Sequence, residues 1–231
     1  MVNRVLNNSA RRRILFTGFL FLGFLGCKDQ GVLPPAPTTV QSFSTVLDTL
    51  FTFPRDSVLV RISGGIPPYS IQNISSPTIL TCRISDSTLT VLPASQGLVV
   101  AQISDASSPA NQFQLPVVIS APVSFSASIQ PIFETPYGCS GTIGGCHGGL
   151  AGLFLDNPTV SYQNLVEVPS QSTSFFGLKR VSPRDPAHSV LYLRLVSNDP
   201  SVSMPEGRTA PFNPIYLANV RTWILQGAHL N

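Results

Sequence analysis

Three regimes of hydrophobic patterning follow one another along the chain. The first is a nearly unbroken apolar run, I-L-F-T-G-F-L-F-L-G-F-L, set behind Arg4 and the triplet Arg11, Arg12 and Arg13 and closed by Gly26 and Cys27. It falls short of the roughly 20 residues that a comfortable membrane span requires. A basic head, a short apolar core and a small residue before a cut describe a secretory signal over residues 1–26. Residues 27–37, C-K-D-Q-G-V-L-P-P-A-P, have no apolar period and are rich in proline, which predicts an extended tether.

From residue 38 to residue 122 the pattern alternates. Val58, Val60 and Ile62 fall on one face of a strand; Phe113, Leu115, Val117 and Ile119 fall on one face of another, with Gln112, Gln114 and Val118 opposite. G-G-I-P-P-Y at 64–69 and S-S-P-A-N at 107–111 interrupt the runs as turns do. About seven short strands in such a length predict an antiparallel β-sandwich. Cys82 lies on the same side of its strand as Leu80 and Ile84, and is expected in the core as a buried free thiol. The segment contains no histidine. It offers no catalytic constellation, and a spacing or adhesive role is expected for it.

After Pro122 the spacing becomes helical, and residues 123–231 are expected to form a second domain. Ile129, Ile132 and Phe133 share one face of a short first helix. Asn157-Pro158, Asp185-Pro186 and Asn213-Pro214 each set a capping side chain before a proline at the first helical position, which announces three more. The last presents Leu217, Val220 and Ile224 at helical spacing, with Trp223 beside them and Gly227 placed to end it.

Charge adds one exclusion. The formal net charge is +3, but all four basic residues before Cys27 leave with the signal while every acidic residue stays. Ten basic residues then face eleven acidic ones, and the net charge becomes −1. No basic surface for nucleic acid is expected.

The candidate chemistry gathers in Y-G-C-S-G-T-I-G-G-C-H-G-G, residues 137–149, which holds Cys139, Cys146 and His147 of a chain with four cysteines and three histidines. Cys146-His147 is the back half of a c-type haem attachment site, in which thiols add to the haem vinyls and the adjacent imidazole ligates iron. The usual spacing has two residues between the cysteines; here there are six, S-G-T-I-G-G, whose glycines allow the loop to fold back. A Cys139–Cys146 disulfide closing the loop is the competing reading. A zinc site is disfavoured, because two cysteines and one histidine lack a fourth ligand nearby. Met204, the only methionine besides Met1, sits in the polar loop S-V-S-M-P-E-G rather than in an apolar run. A thioether there suits the far side of a haem. Arg180 and Arg184 are candidates for pairing with the haem carboxylates, Leu191 and Leu195 for lining a pocket, and His188 and His229 for alternative ligands, though both histidines are expected at the surface.

Three resemblances extend these readings. F-L-G-C at 24–27 resembles the lipobox of bacterial lipoproteins, which implies Cys27 as the acylated first residue of a mature protein held to the membrane through its N-terminal lipid; an uncleaved N-terminus with Cys27 as an ordinary thiol is the alternative. I-S-G-G-I-P-P-Y-S-I resembles bacterial immunoglobulin-like modules. S-I-Q-P-I-F, C-H-G-G, G-L-F-L-D, R-V-S-P-R-D-P-A-H-S-V-L-Y-L-R-L, M-P-E-G and V-R-T-W-I-L-Q-G-A, in that order, resemble the small c-type cytochrome domains of secreted and lipid-anchored bacterial proteins. That likeness implies thioethers at Cys139 and Cys146, His147 as proximal ligand and Met204 as distal ligand of a haem c iron. The expected fold is multidomain: an all-β, immunoglobulin-like sandwich over residues 38–122, followed by a mainly α cytochrome c-like domain over 123–231.

The function expected is that of a membrane-anchored carrier of single electrons, not an enzyme, in the bacterial cell envelope, on the periplasmic side or the outer-membrane surface. Its redox partner protein is one the sequence does not name. The alternative is a haem-free structural or binding lipoprotein with a Cys139–Cys146 disulfide.

Overall fold

Strands form where the alternation is strictest. In the computed structural model, which describes residues 43–45, 47–135, 137–141, 146–149, 152–208 and 210–231, β3 (Val58–Ser63) buries Val58, Val60 and Ile62 and turns Leu59 and Arg61 to solvent. The signal at 1–26, the tether at 27–37 and the lipid site at Cys27 lie outside the described residues.

Among the described residues, eight strands make two sheets of four. One runs β1 (Ser44–Thr45), β3, β6 (Thr88–Pro93), β5 (Leu80–Ser85), all antiparallel. The other runs β2 (Leu50–Thr52), β8 (Gln112–Ile119), β7 (Gly97–Ser104), β4 (Ser70–Ile74), with β2 parallel to β8 and the remaining pairs antiparallel. Register follows burial: Val99 opposes Val117 and Ala101 opposes Leu115, so side chains of one face meet in pairs. Both sheets feed one apolar layer that includes Leu50, Ile62, Leu80, Leu89, Val99 and Leu115, each at most 2 % exposed. Each such side chain contributes about 1.5–3 kcal/mol through removal from water. Cys82 lies in this layer, and burial pushes its thiol up to about 11.

The remainder of the described chain carries four short helices: α1 (Gln130–Glu134), entered through a π-helical turn at Phe125–Ile129, α2 (Pro158–Leu165), α3 (Val190–Val196) and α4 (Pro214–Leu225). The caps are those the Asn-Pro and Asp-Pro pairs predict. Asn157 Oδ1 accepts the Val160 N–H at 3.0 Å, Asn213 Oδ1 accepts that of Ile215 at 2.9 Å, and Asp185 caps a single 3₁₀ turn at Pro186–His188 just ahead of α3. Phe125, Ile129, Leu165, Val220, Trp223 and Ile224 pack into a second apolar cluster.

The expected mainly α second domain is corrected by this arrangement: the described chain is mainly β, with limited helix. The first three helices stop early because the residue after each is extended, at Thr135, Val166 and Ser197 for α1, α2 and α3. The intervening stretches pair as single bridges, Val166 with Val181, Pro169 with Lys179 and Lys179 with Ser189. Proline caps specify where a helix starts and leave its length to the residues downstream.

Sandwich and helices interlock within one unit. The Gln226 amide, 2 % exposed, donates to Ser120 Oγ at 2.9 Å and to the Ala121 carbonyl at 2.8 Å, and accepts the Val123 N–H at 2.9 Å. Arg184 Nη1 donates to the Phe51 carbonyl in β2 at 2.7 Å, and its Nη2 lies 3.4 Å from Asp56 Oδ2.

Candidate functional site

The site begins at the C-terminal end of α1. The Phe133 carbonyl there accepts the N–H groups of Cys139 at 2.6 Å and Ser140 at 2.9 Å, so the chain turns back as soon as the helix ends. His147 N–H donates to the Cys139 carbonyl at 3.0 Å, and Leu155 N–H donates to the His147 carbonyl at 3.0 Å. Gln130 of α1, itself 2 % exposed, closes the circuit by donating to the Leu155 carbonyl at 3.3 Å. Four segments are thereby laced side by side, and the loop does bring Cys139 and His147 together.

That lacing needs two glycines. A Cβ on Gly141 would lie 2.3 Å from the Gly148 Cα and 2.7 Å from Asp156 Oδ1; one on Gly148 would lie 2.9 Å from the Gly141 Cα. The two backbones touch, and a side chain on either forces them apart.

The laced segments form part of the wall of a cavity of about 330 Å³, within the usual size of small-molecule sites. Ile132 and Phe133 of α1, Leu153, Leu155, Leu165 of α2, Leu191 and Leu195 of α3, and Phe212 make it apolar; Cys139, His147, Met204, Arg180 and Arg194 bring the chemistry. Tyr137 stacks on Phe212 with ring centroids 4.6 Å apart and accepts the Asn213 N–H on its hydroxyl at 3.3 Å, tying the cavity to the start of α4.

Cys139 is half-buried; burial, with a smaller contribution from the Cys146 thiol, pushes it up to about 11, so it stays protonated at neutral pH. Cys146 is exposed and does not line the cavity. Cys146 stands in a turn just ahead of the His147 bridge, on the solvent side. Among the described residues, both cysteines are free thiols.

Of the other candidates, Arg180 lines the cavity and donates through Nη1 to the Gly152 and Asn164 carbonyls at 3.1 and 2.9 Å. Arg184 is engaged instead with Phe51 and Asp56, away from the cavity lining. His188 is exposed and sits 2.7 Å from Asp185. His229 lies against Phe53 and Asp56. Trp223 is core, 1 % exposed, its indole N–H donating to the His229 carbonyl at 2.9 Å.

Arg194 and Arg208 went unread in the sequence. The signal was there for Arg194: with Val190, Leu191 and Leu195 it occupies one face of α3, a charge set on an apolar stripe. Its guanidinium lies 5.1 Å over the Phe175 ring, and burial lowers its pKa.

No protein-family model matches the chain, and no curated protein matches it either. The resemblance to small c-type cytochrome domains behind an immunoglobulin-like module is accordingly corrected. The described residues contain no group of three or more His, Cys, Asp or Glu able to hold a metal ion. The Cys-x6-Cys-His segment does not present both sulfurs and the imidazole to one cavity, and the fold around it is helix-poor.

Proposed function

We propose that the cavity holds a haem and that the protein carries single electrons through it. One observation supports this above all: His147 and Met204, whose imidazole and thioether would hold a haem iron, line the same cavity. The residues fit the group in three further respects. A haem would bring its iron with it, so a cluster of three protein ligands would not be required. The lining is apolar, as a porphyrin face demands. Arg180 puts a guanidinium group on the wall of that apolar space, and guanidinium pairs well with carboxylates.

Bound there, haem supplies a metal that changes charge by one electron with no nucleophile or general base from the chain. The chain's part is to set the environment. His147 and Met204 offer a ligand pair that favours a high reduction potential. The apolar wall keeps water away. Cys139, the cavity-facing cysteine, is the candidate that would attach the group covalently; haem that stays with the polypeptide through denaturing electrophoresis supports the covalent form, and haem that leaves argues that His147 and Met204 alone would hold it. The same reading keeps Cys27 as a lipid-bearing residue that places the protein in a bacterial cell envelope facing a redox partner protein, and involves no nucleic acid.

The test is an absorption spectrum of the full-length protein, produced with haem available, oxidised and then reduced. An intense Soret band that moves on reduction is expected, and Met204→Ala is expected to lower the midpoint potential. Protein with no Soret band overturns the proposal.

A further inference from the structure

Met204 sits in a loop with little apolar content of its own, yet that loop is fastened at both ends. Within it, Asp199 organises a tight turn: its Oδ1 accepts the Ser201 N–H at 2.9 Å and hydroxyl at 2.7 Å, and its carbonyl accepts the N–H groups of Val202 at 3.0 Å and Ser203 at 2.8 Å. This turn shapes residues 199–203. It does not attach them to the cavity.

Attachment comes from two arginines. On the near side, Arg194 of α3 accepts the Met204 N–H on its carbonyl at 3.1 Å, while its side chain donates through Nη1 to the Val202 carbonyl at 2.9 Å and through Nη2 to Ser172 Oγ at 2.9 Å. On the far side, Arg208 reaches back to the end of α3, donating through Nη1 to the Leu195 carbonyl at 2.9 Å and through Nη2 to the Ser197 carbonyl at 2.6 Å. Leu195 and Ser197 carry two of the carbonyls that a helix leaves without an internal partner at its C-terminus, and a cation is favoured there. Each arginine also lies over an aromatic ring, Arg194 over Phe175 at 5.1 Å and Arg208 over Phe212 at 5.7 Å.

We infer that Arg194 and Arg208 form a two-point clamp that locks the 199–208 loop onto α3 and so fixes the Met204 thioether at the cavity. Both are positioning residues that act through Met204. The inference rests on the proposed haem reading for its purpose, but not for its geometry, which is a property of the polypeptide alone. Four donor contacts from two planar forks converge on three carbonyls and one hydroxyl, with a ring beneath each fork, an arrangement lysine cannot reproduce.

The clamp is tested first without haem. In the full-length apoprotein, the rate at which hydrogen peroxide converts Met204 to its sulfoxide is followed by peptide mass, because a thioether held against a wall reacts more slowly than one on a free loop. Arg208→Ala and Arg194→Lys are each expected to raise that rate roughly tenfold, the scale of losing charge-assisted hydrogen bonds, with Trp223 emission unchanged. Arg221→Lys, on an exposed position of α4, is expected to leave it unchanged. If Arg208→Ala shifts the Trp223 emission and so unfolds, Arg208→Lys takes its place in the comparison. Rates equal to wild type in folded variants overturn the clamp. Haem-loaded protein gives the second arm: variants that bind as much haem as wild type but show a lower midpoint potential have lost the sulfur from the iron. Variants with unchanged haem content and potential overturn the clamp's role at the metal. Wild-type protein that takes up no haem refutes the functional proposal, and the peroxide arm still decides the clamp.

Discussion

Among single residues, Asp105 shows how a lone carboxylate organises a turn. It is 4 % exposed at the end of β7, and accepts the N–H groups of Ile66 at 3.0 Å and Asn111 at 2.8 Å, with further bonds from Ser107 and from the Asn111 amide. Burial raises its pKa, but the bonds from Ser107, Asn111 and Ile66 outweigh that and hold the carboxyl below the usual carboxylate range. A folded-state pKa below the unfolded value of about 3.9 means that stabilisation is complete above that pH and is lost as pH falls through the folded value. Wild-type melting temperature is therefore expected to drop on acidification below about pH 4, and Asp105→Asn is expected to lack that component while melting lower at neutral pH. Thermal unfolding of both proteins across this range is the measurement; parallel curves would count against the assignment. At this scale the rare residue types were readable in advance, since a chain with three histidines and one internal methionine leaves few candidates. Direction was not. Arg184 and Arg194 are equally plausible on paper, and only the packed chain sends the first to Asp56 and the second to the cavity.

Between residues and the whole stand the elements, and the laced loop is the one on which the site depends. Gly141→Ala is expected to cost about 1–3 kcal/mol through backbone crowding and to speed amide hydrogen exchange at His147 and Leu155, whose N–H groups bond to Cys139 and His147. Gly138 supplies the contrast: nothing lies within 4 Å of its Cβ position, but its φ is +57°, so Gly138→Ala should cost about 1 kcal/mol of backbone strain and leave those two amides protected. Equal exchange in the two variants would remove the close backbone approach from the account. What the sequence made legible was local. Caps at Asn157 and Asn213 depend on a side chain and a backbone group two or three residues away, and strand alternation depends on period alone. Helix length and the outward turn of Cys146 depend on partners far along the chain, such as the Val166 to Val181 bridge or the Leu155 segment behind His147. The likeness to cytochrome domains failed at that level, since its motifs are short and its helices are defined by tertiary packing.

Taken as a whole molecule, the sandwich and the helices are joined by polar groups that neither can satisfy alone. Arg184 and Gln226 both span the junction, and within the helical part Asn231 Oδ1 accepts the Phe125 N–H at 2.9 Å while its carbonyl accepts the Ser124 hydroxyl at 2.8 Å. Cooperative unfolding is the expected consequence. Trp223 emission, which reports the helical core, and far-ultraviolet circular dichroism, dominated by the strands, should give one common midpoint in urea. Arg184→Ala leaves the Asp56 carboxylate, whose side chain is 9 % exposed, without its cation and with the Thr52 hydroxyl at 2.8 Å still donating to it, and is expected to lower that midpoint by the equivalent of about 1–3 kcal/mol. Two separated transitions in the wild type would show that the halves melt independently.

The parallel pairing of β2 with β8 has a mechanical consequence. Leu50, Phe51 and Thr52 run beside Val117, Val118 and Ile119 in the same direction. Tension applied to the chain ahead of β2 and beyond β8 would pull these strands lengthwise past each other, straining the rungs of the ladder together. An antiparallel pair pulled from one end gives way rung by rung, so a pull on the two flanks would meet its resistance at this short seam.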